Sequence, residues 1–270
     1  LDRESTKYVS DLWKVPTDGS APLQLTRGDS KDAAPGFRRD GALAFLSNRQ
    51  PNEIKPDEDA EKRMQVWLLP AAGGEPQQLT DEPLGVDAFR FARNADRLVL
   101  LAPVLTGVEH AKQREVESDR RKNGSSARRY TTQPVRHWDH WLHEGEDRPN
   151  VHVIACMEDG TGRRDLTPQA RRELAIEPDF DVSRDGGQVA VTWQTTGKDR
   201  ELDTAILLID VEGGASRLLG AVENGSTESP RFSPDGRTLA VVRSVRSPAR
   251  VMRPTLSLID TATGAIRTVA

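Results

Sequence analysis

The chain has 270 residues, enough for one large all-β domain or two smaller ones. Hydrophobic residues make up 36% and charged residues 30% of the sequence, which is typical of a folded domain and argues against a disordered chain. The formal net charge is −4, so no overall basic field favours nucleic acid or an anionic membrane surface, and no apolar run approaches the roughly 18–20 residues of a membrane span.

A turn sequence recurs along the chain. Asp-Gly occurs at 40–41, 185–186 and 235–236, and a degenerate copy, Asn-Ala, occurs at 94–95. Asp-Gly and Asn-x pairs supply a positive φ at low cost, so each copy predicts a tight hairpin, and the apolar run after it predicts a central strand. An apolar residue lies three positions before each turn. These residues are Phe37, Phe91, Val182 and Phe232.

A second half-unit follows each turn and also precedes the first one. It reads as an apolar strand, a Gly-rich turn and a short strand that ends, in three copies, in Leu-Thr. The five copies lie at 12–26, 66–80, 151–167, 206–219 and 256–269. Two hairpins make four strands per unit. The first turns of successive units, at 40, 94, 185 and 235, are 54, 91 and 50 residues apart. The middle spacing falls to about 50 if about 40 residues form an insertion.

This period predicts an all-β chain: a β-propeller segment of about four and a half four-stranded antiparallel blades, part of a larger ring. A sandwich would not repeat both turns in the same order. We place one propeller segment at 1–270, with a partial blade at 1–27 and blades at 33–81, 86–168, 176–220 and 228–270. The first residue is Leu1 and not Met, so we expect a segment of a longer protein. The alternative is that 1–9 form a strand that pairs with the end of the chain and closes a five-bladed ring.

Residues 105–149 are the predicted insertion, and their charge-rich part, 108–122, predicts a helix. Residues 135–142 alternate aromatic and polar side chains, which predicts the entry into a strand. His137, His140 and His143 are spaced so that a helix could present two of them to a metal, but the alternation favours a strand without a metal.

The same insertion holds the candidate substrate-binding residues. Trp138 and Trp141 are either packing residues or part of a substrate site. Glu144 and Glu146 could hold the free amino terminus of a peptide by charge-assisted hydrogen bonds, and otherwise are solvated loop acids.

No catalytic motif is found in the sequence. It contains no Gly-x-Ser-x-Gly, P-loop, Gly-x-Gly-x-x-Gly or Cys-x-x-Cys. We therefore predict no catalytic residue, no metal and no cofactor in this chain. The single cysteine, Cys156, excludes an internal disulfide and is predicted to be a buried small hydrophobe. This cysteine usage is consistent with a reducing compartment, and we predict a cytoplasmic location.

The Leu-Thr endings, the Ser-Pro-Asp-Gly turn at 233–236 and the stretch 135–142 together resemble one group of proteins. They are similar to the N-terminal propeller of prolyl oligopeptidase family serine peptidases, in the acylaminoacyl-peptidase and dipeptidyl-peptidase-like branch. The resemblance covers nearly the whole chain. It implies a following α/β-hydrolase domain with the Ser, Asp and His of catalysis, and a propeller that admits only short peptides and helps to place their amino terminus.

Some dipeptidyl peptidases carry an Asp-Trp-x-Tyr-Glu-Glu motif on the propeller that grips this amine. Residues 140–146 resemble it loosely, with His143 in place of Tyr and Gly145 between the two acids.

The expected function is that of the propeller region of an oligopeptide-cleaving serine peptidase. It would gate access and place substrate for a hydrolase domain absent from this chain, with that domain and short peptides as partners, and with no nucleic acid and no membrane. Alone, the chain is expected to be inactive. One alternative is a non-enzymatic TolB-like propeller that binds a protein partner. Another is a propeller enzyme with its site in the central channel, which would need polar residues converging from the inner strands.

Overall fold

The structure is a computed structural model that describes residues 8–50, 63–124, 127, 130, 135–138, 140–142, 148–176, 178–196, 202–247 and 252–269. Over these residues it is built almost entirely of antiparallel β-sheet. A two-stranded hairpin comes first, and four sheets of four strands each follow it along the chain.

The strands of each sheet pair in chain order, each with the next. The hairpin consists of β1 (Trp13–Lys14) and β2 (Leu23–Gln24). Sheet 1 consists of β3 (Asp32–Phe37), β4 (Leu43–Ser47), β5 (Gln65–Leu69) and β6 (Gln77–Gln78). Sheet 2 begins with β7 (Ala88–Phe91) and β8 (Leu98–Val104).

An insertion follows β8. It contains a 3-10 helix (His110–Lys112), α1 (Gln113–Asn123), and a small hairpin of β9 (Arg136–His137) and β10 (His140–Trp141). The strands β11 (Asn150–Cys156) and β12 (Arg164–Asp165) then complete sheet 2. In the described parts of the chain, no helix has the length and apolar character needed to cross a membrane.

The last two sheets are regular. Sheet 3 consists of β13 (Phe180–Val182), β14 (Gln188–Thr196), β15 (Leu202–Asp210) and β16 (Ser216–Leu219). Sheet 4 consists of β17 (Gly225–Phe232), β18 (Thr238–Arg246), β19 (Met252–Asp260) and β20 (Ile266–Thr268).

The sheets stack face to face in chain order, and strand β8 shows why. Leu98 and Leu100 belong to an apolar cluster shared with sheet 1, whereas Val99 and Leu101 belong to one shared with sheet 3. Side chains alternate between the two faces of a strand, so consecutive apolar residues bury both faces of one sheet. A third cluster joins sheets 3 and 4, and a fourth joins Leu12 to sheet 1. This stack confirms the predicted β-propeller fold.

The Leu-Thr endings have a structural reason. In three units the threonine hydroxyl is buried and accepts the N–H of a residue 14 positions earlier, in or near the strand that pairs with the Leu-Thr segment. The three pairs are Thr26 with Leu12 (2.9 Å), Thr80 with Val66 (2.9 Å) and Thr167 with Val153 (2.8 Å). The side chain satisfies a backbone donor that would otherwise be buried without a partner.

Three of the four predicted turns have the expected backbone. Gly41, Gly186 and Gly236 all have positive φ, at +85°, +72° and +72°. The prediction is wrong at Asn94 and Ala95, neither of which has a positive φ. This turn has the same length as the turn at 183–188, but the N–H of Arg97 bonds to the carbonyl of Ala95 at 3.0 Å, a tighter local bond that replaces the one made by Gly186 to Ser183.

Two of these glycines give a matched test of how sheets 2 and 3 pack. A Cβ at Gly236 would meet nothing nearer than 3.9 Å, whereas one at Gly186 would lie 3.0–3.3 Å from side chains of the preceding sheet's turn. Since φ is the same, we expect Gly236→Ala to cost about 1–2 kcal/mol from backbone strain. Gly186→Ala should cost about 1–3 kcal/mol more, because it overpacks the contact. Urea unfolding followed by tryptophan fluorescence measures both, and equal losses would contradict the packing.

The insertion matches its prediction in part. The charge-rich segment is helical, as predicted, over His110–Lys112 and Gln113–Asn123. Residues 135–142 contain extended residues but form their own hairpin, and the next long strand starts only at Asn150. The reason is a turn at Trp138, whose φ is +50°, which places His137 opposite His140.

Candidate functional site

The first strands of the four sheets lie side by side and line one cleft of about 540 Å³. Strand β3 contributes Phe37, β7 contributes Phe89 and Phe91, and β17 contributes Phe232. Phe37 is 74% exposed, and the rings of Phe89 and Phe91 meet edge to face at 5.9 Å. The first strands of sheets 1, 2 and 4 therefore give the cleft an aromatic wall, and sheet 3 contributes Val182 in the corresponding place.

Four arginines, Arg90, Arg93, Arg184 and Arg231, also line this cleft. Asp179 lies between two of them, with Oδ1 3.5 Å from Arg90 and Oδ2 2.9 Å from Arg231. The cleft thus brings together cations from three sheets, although the whole chain has a net charge of −4.

The carboxylates near the cleft are already engaged. Asp181 Oδ2 accepts the N–H of Phe232 at 2.8 Å, which ties β13 to β17. Asp185, next to Arg184 in the chain, accepts hydrogen bonds from Ser183 Oγ at 2.6 Å and from the N–H of Gly187 at 3.0 Å. The Ser183 hydroxyl, first, and that backbone N–H lower the pKa of Asp185, so it stays ionised within its own turn.

Arg93 and Arg184 are exposed and form no ion pair with any residue that the structure describes. In addition, the buried Nε of Arg90 has no hydrogen-bond partner among the described residues. The cleft is therefore a place where positive charge exceeds the negative charge available to balance it. Chemically, such a surface can bind an anion that also carries apolar groups.

The sequence carries a signal for two of these arginines. The residue just before the turn is arginine in three of the four copies: Arg39, Arg93 and Arg184. Arg39 is paired with Glu158 at 3.1 Å. Of the three arginines, only Arg93 and Arg184 therefore have no ion-pair partner among the described residues. Pairing depends on contacts between sheets, which turn spacing alone does not provide.

The residues predicted from the insertion lie elsewhere. Neither Trp138 nor Trp141 lines the cleft. Trp138 is 86% exposed at its hairpin turn, so it is not a packing residue in the described structure. Trp141 stacks on Tyr130 at 6.0 Å and on the guanidinium of Arg136 at 5.4 Å. Glu144 and Glu146 lie outside the described residues.

The histidine alternative gains no support from the part of the chain that is described. His137 and His140 are opposite each other in the small hairpin, and His143 lies outside the described residues. No group of three or more His, Cys, Asp or Glu that could hold a metal occurs among the residues described.

A second polar site that the sequence analysis missed lies at the base of the insertion. His152 is almost fully buried, and its Nδ1 is 2.7 Å from Asp165 Oδ2 beside a cavity of about 130 Å³. Its Nε2 is 3.5 Å from Thr106 Oγ1, at the outer limit of a hydrogen bond. The arrangement links β11, β12 and the first residues of the insertion, which is a positioning role.

Cys156 is buried, as predicted. Burial raises the pKa of the thiol to about 12, so it is protonated at neutral pH and is a poor nucleophile.

No family model matches the chain. Among curated proteins, it is 27% identical over 274 aligned residues to dipeptidyl-peptidase 5 of Porphyromonas gingivalis, with 97% of this chain and 37% of that protein covered. It is 23% identical over 120 residues to the uncharacterized peptidase YuxL of Bacillus subtilis, covering 44% of this chain and 17% of that protein. The chain thus spans well under half the length of both relatives.

Solved structures share the fold. An oligogalacturonate lyase in complex with manganese matches with a TM-score of 0.59 at 14% identity, covering 96% of this chain and 58% of the other. TolB from Acinetobacter baumannii matches with a TM-score of 0.51 at 16% identity, covering 96% and 48%. A prolyl endopeptidase matches with a TM-score of 0.52 at 10% identity, covering 94% and 32%. The chain is a β-propeller segment that resembles the propellers of prolyl oligopeptidase family serine peptidases, as its sequence predicts.

Proposed function

We propose that this chain is the propeller region of an oligopeptide-cleaving serine peptidase. It gates access and places substrate for an α/β-hydrolase domain that lies outside this chain. The observation that carries the proposal is the 27% identity to dipeptidyl-peptidase 5 over 97% of the chain, since it extends across all the repeated units. The catalytic triad belongs to that other domain, and this chain alone is inactive.

The dimensions of the cleft support a gating role. Its volume of about 540 Å³ lies within the roughly 300–1,000 Å³ of small-molecule pockets. A few residues of an extended peptide fit such a space, and a folded protein does not. Trp138, Trp141, Glu144 and Glu146 are proposed to contribute from the insertion to the placement of the peptide's amino terminus.

The outer faces of the stack support a larger ring. In sheet 4, Leu239 and Val241 pack against sheet 3, whereas Val242 and Leu256 on the opposite face are exposed. The corresponding face of sheets 1 to 3 is covered by the next sheet. We propose that residues 1–270 form one segment, divided into blades as the sequence predicts, and that further blades of the longer protein cover the exposed face. We also propose a cytoplasmic location.

The test is to express the longer protein that contains this chain and to assay peptide hydrolysis. A dipeptidyl or aminoacyl nitroanilide and peptides of about four to ten residues should be cleaved, and intact folded lysozyme should not, because the cleft excludes it. The 270-residue chain alone should give no turnover of the same nitroanilide. Turnover by the isolated chain, or none by the longer protein with any peptide, would overturn the proposal.

A TolB-like binding propeller is the second candidate, and the fold match to TolB favours it. It differs in its prediction for the same assay, since a binding propeller would leave all peptides intact in the longer protein.

A further inference from the structure

We propose that Arg93 and Arg184 form a binding site for the carboxylate of a peptide at the cleft between sheets 2 and 3. This inference rests on the proposed function, because it names the substrate group that the propeller holds. It assigns a role to a part of the chain in which no candidate site was predicted.

The two arginines lie on neighbouring turns. The N–H of Asn94, the residue after Arg93, donates to the carbonyl of Arg184 at 2.8 Å. The same turns are packed tightly, because a Cβ on Gly186 would lie only 3.0 Å from Arg97 Cβ. The backbone of one arginine is therefore held close to that of the other, on rigid turns at the edge of one cleft.

Neither arginine of this pair has a carboxylate as its partner among the described residues, because the nearby carboxylates are engaged elsewhere. Asp179 is shared by Arg90 and Arg231, Asp181 bonds to the backbone of β17, and Asp185 bonds within its own turn. Neither guanidinium is paired with a carboxylate among the described residues, so an anion bound between the two gains Coulomb attraction from both. Guanidinium groups bind carboxylates with two parallel hydrogen bonds, which favours a carboxylate over a single-atom anion.

The walls of the cleft favour a peptide as the bearer of that carboxylate. Phe37, Phe91 and Phe232 line it beside the arginines. Apolar side chains of a peptide can bury surface against these rings while the carboxylate pairs with the cations. The overall charge of −4 would oppose a long polyanion such as a nucleic acid.

The experiment measures binding by calorimetry to the longer protein after treatment with diisopropyl fluorophosphate, which blocks a reactive serine. The probe is the tetrapeptide Ala-Phe-Ala-Phe as the free acid, compared with its C-terminal amide. We expect the acid to bind at least about tenfold more tightly, a typical effect of one charge-assisted pair. A third probe, the C-terminal amide of Ala-Phe-Ala-Glu, carries its only carboxylate on a side chain. If it binds more tightly than the amide of Ala-Phe-Ala-Phe, the site exists and accepts a side-chain carboxylate.

The variant Arg93→Gln/Arg184→Gln should remove the preference for the acid, and each single variant should weaken it. Both arginines are exposed, so the fold should tolerate these changes. The matched control is Arg267→Gln, which removes the same charge from β20, an exposed edge strand away from the cleft, and should keep the preference. A thermal unfolding curve of each variant confirms that it is folded.

Equal binding of acid and amide to the wild type would overturn the proposal, as would a preference that survives the double variant. Tighter binding of a single-stranded oligonucleotide than of the acid would also overturn it. These readouts do not depend on hydrolysis. A protein that cleaves peptides but binds acid and amide equally fails only this inference, and one that binds the acid selectively but cleaves nothing fails only the proposed function.

Discussion

Replacing Leu100 by alanine is expected to lower the free energy of unfolding by about 2–5 kcal/mol, the usual cost of removing a leucine from a packed core. Leu100 is 1% exposed in the middle of β8, where it pairs with Ile154 of β11. It belongs to the apolar cluster that holds sheets 1 and 2 together, so the loss would loosen a contact between blades. Urea unfolding followed by tryptophan fluorescence measures it.

The matched control is Leu218→Ala. Leu218 lies on β16, the edge strand of sheet 3, and is 47% exposed, so the change should stay within about 0.5 kcal/mol. Similar losses at both positions would contradict the interpretation that consecutive residues of the central strands form the inter-blade core.

Replacing Asp203 by alanine is expected to cost about 3–5 kcal/mol, because it removes the buried carboxylate of an ion pair between two blades. Asp203, the second residue of β15 in sheet 3, pairs with Arg246 at the end of β18 in sheet 4; the Asp203 side chain is buried and that of Arg246 is 14% exposed. The other oxygen of Asp203 accepts the N–H of Asn224 at 3.2 Å. The pair therefore links two blades at one end of the stack, and thermal unfolding should show a lower midpoint.

Two variants make this result specific. Glu109→Ala breaks an exposed pair with Lys112 and should change the midpoint little, as surface ion pairs contribute little. The double variant Asp203→Leu/Arg246→Met removes both charges and should recover most of the loss. If the double variant were as unstable as Asp203→Ala, the loss would come from packing and not from the broken ion pair.

Residues that are close together in the sequence do not form the cleft of this protein. The sequence predicts substrate-binding residues in the insertion because its tryptophans, histidines and acids lie close together along the chain. Trp138 and Trp141 nevertheless lie outside the cleft. The cleft is built instead from short pieces of four strands far apart along the chain.

The sequence by itself determined the hairpins and the fold class. A positive φ at Asp-Gly, and the apolar run after it, are local properties, so Gly186 and Gly236 and the strands that follow them could be predicted from spacing. The same holds for the burial of Cys156, which lies in an apolar strand.

Only the tertiary structure decided which charges meet. Asp179 lies between Arg90 and Arg231, residues of three different sheets, while Arg93 and Arg184 are left without a described counter-charge. Turn chemistry acts over a few residues and sets each hairpin, whereas the contact between two turns depends on how whole sheets stack. The stacking is driven by burial of apolar side chains on both faces of each sheet, and this driving force is not directional. The hydrophobic pattern of the sequence therefore does not show which polar side chains of two sheets come into contact.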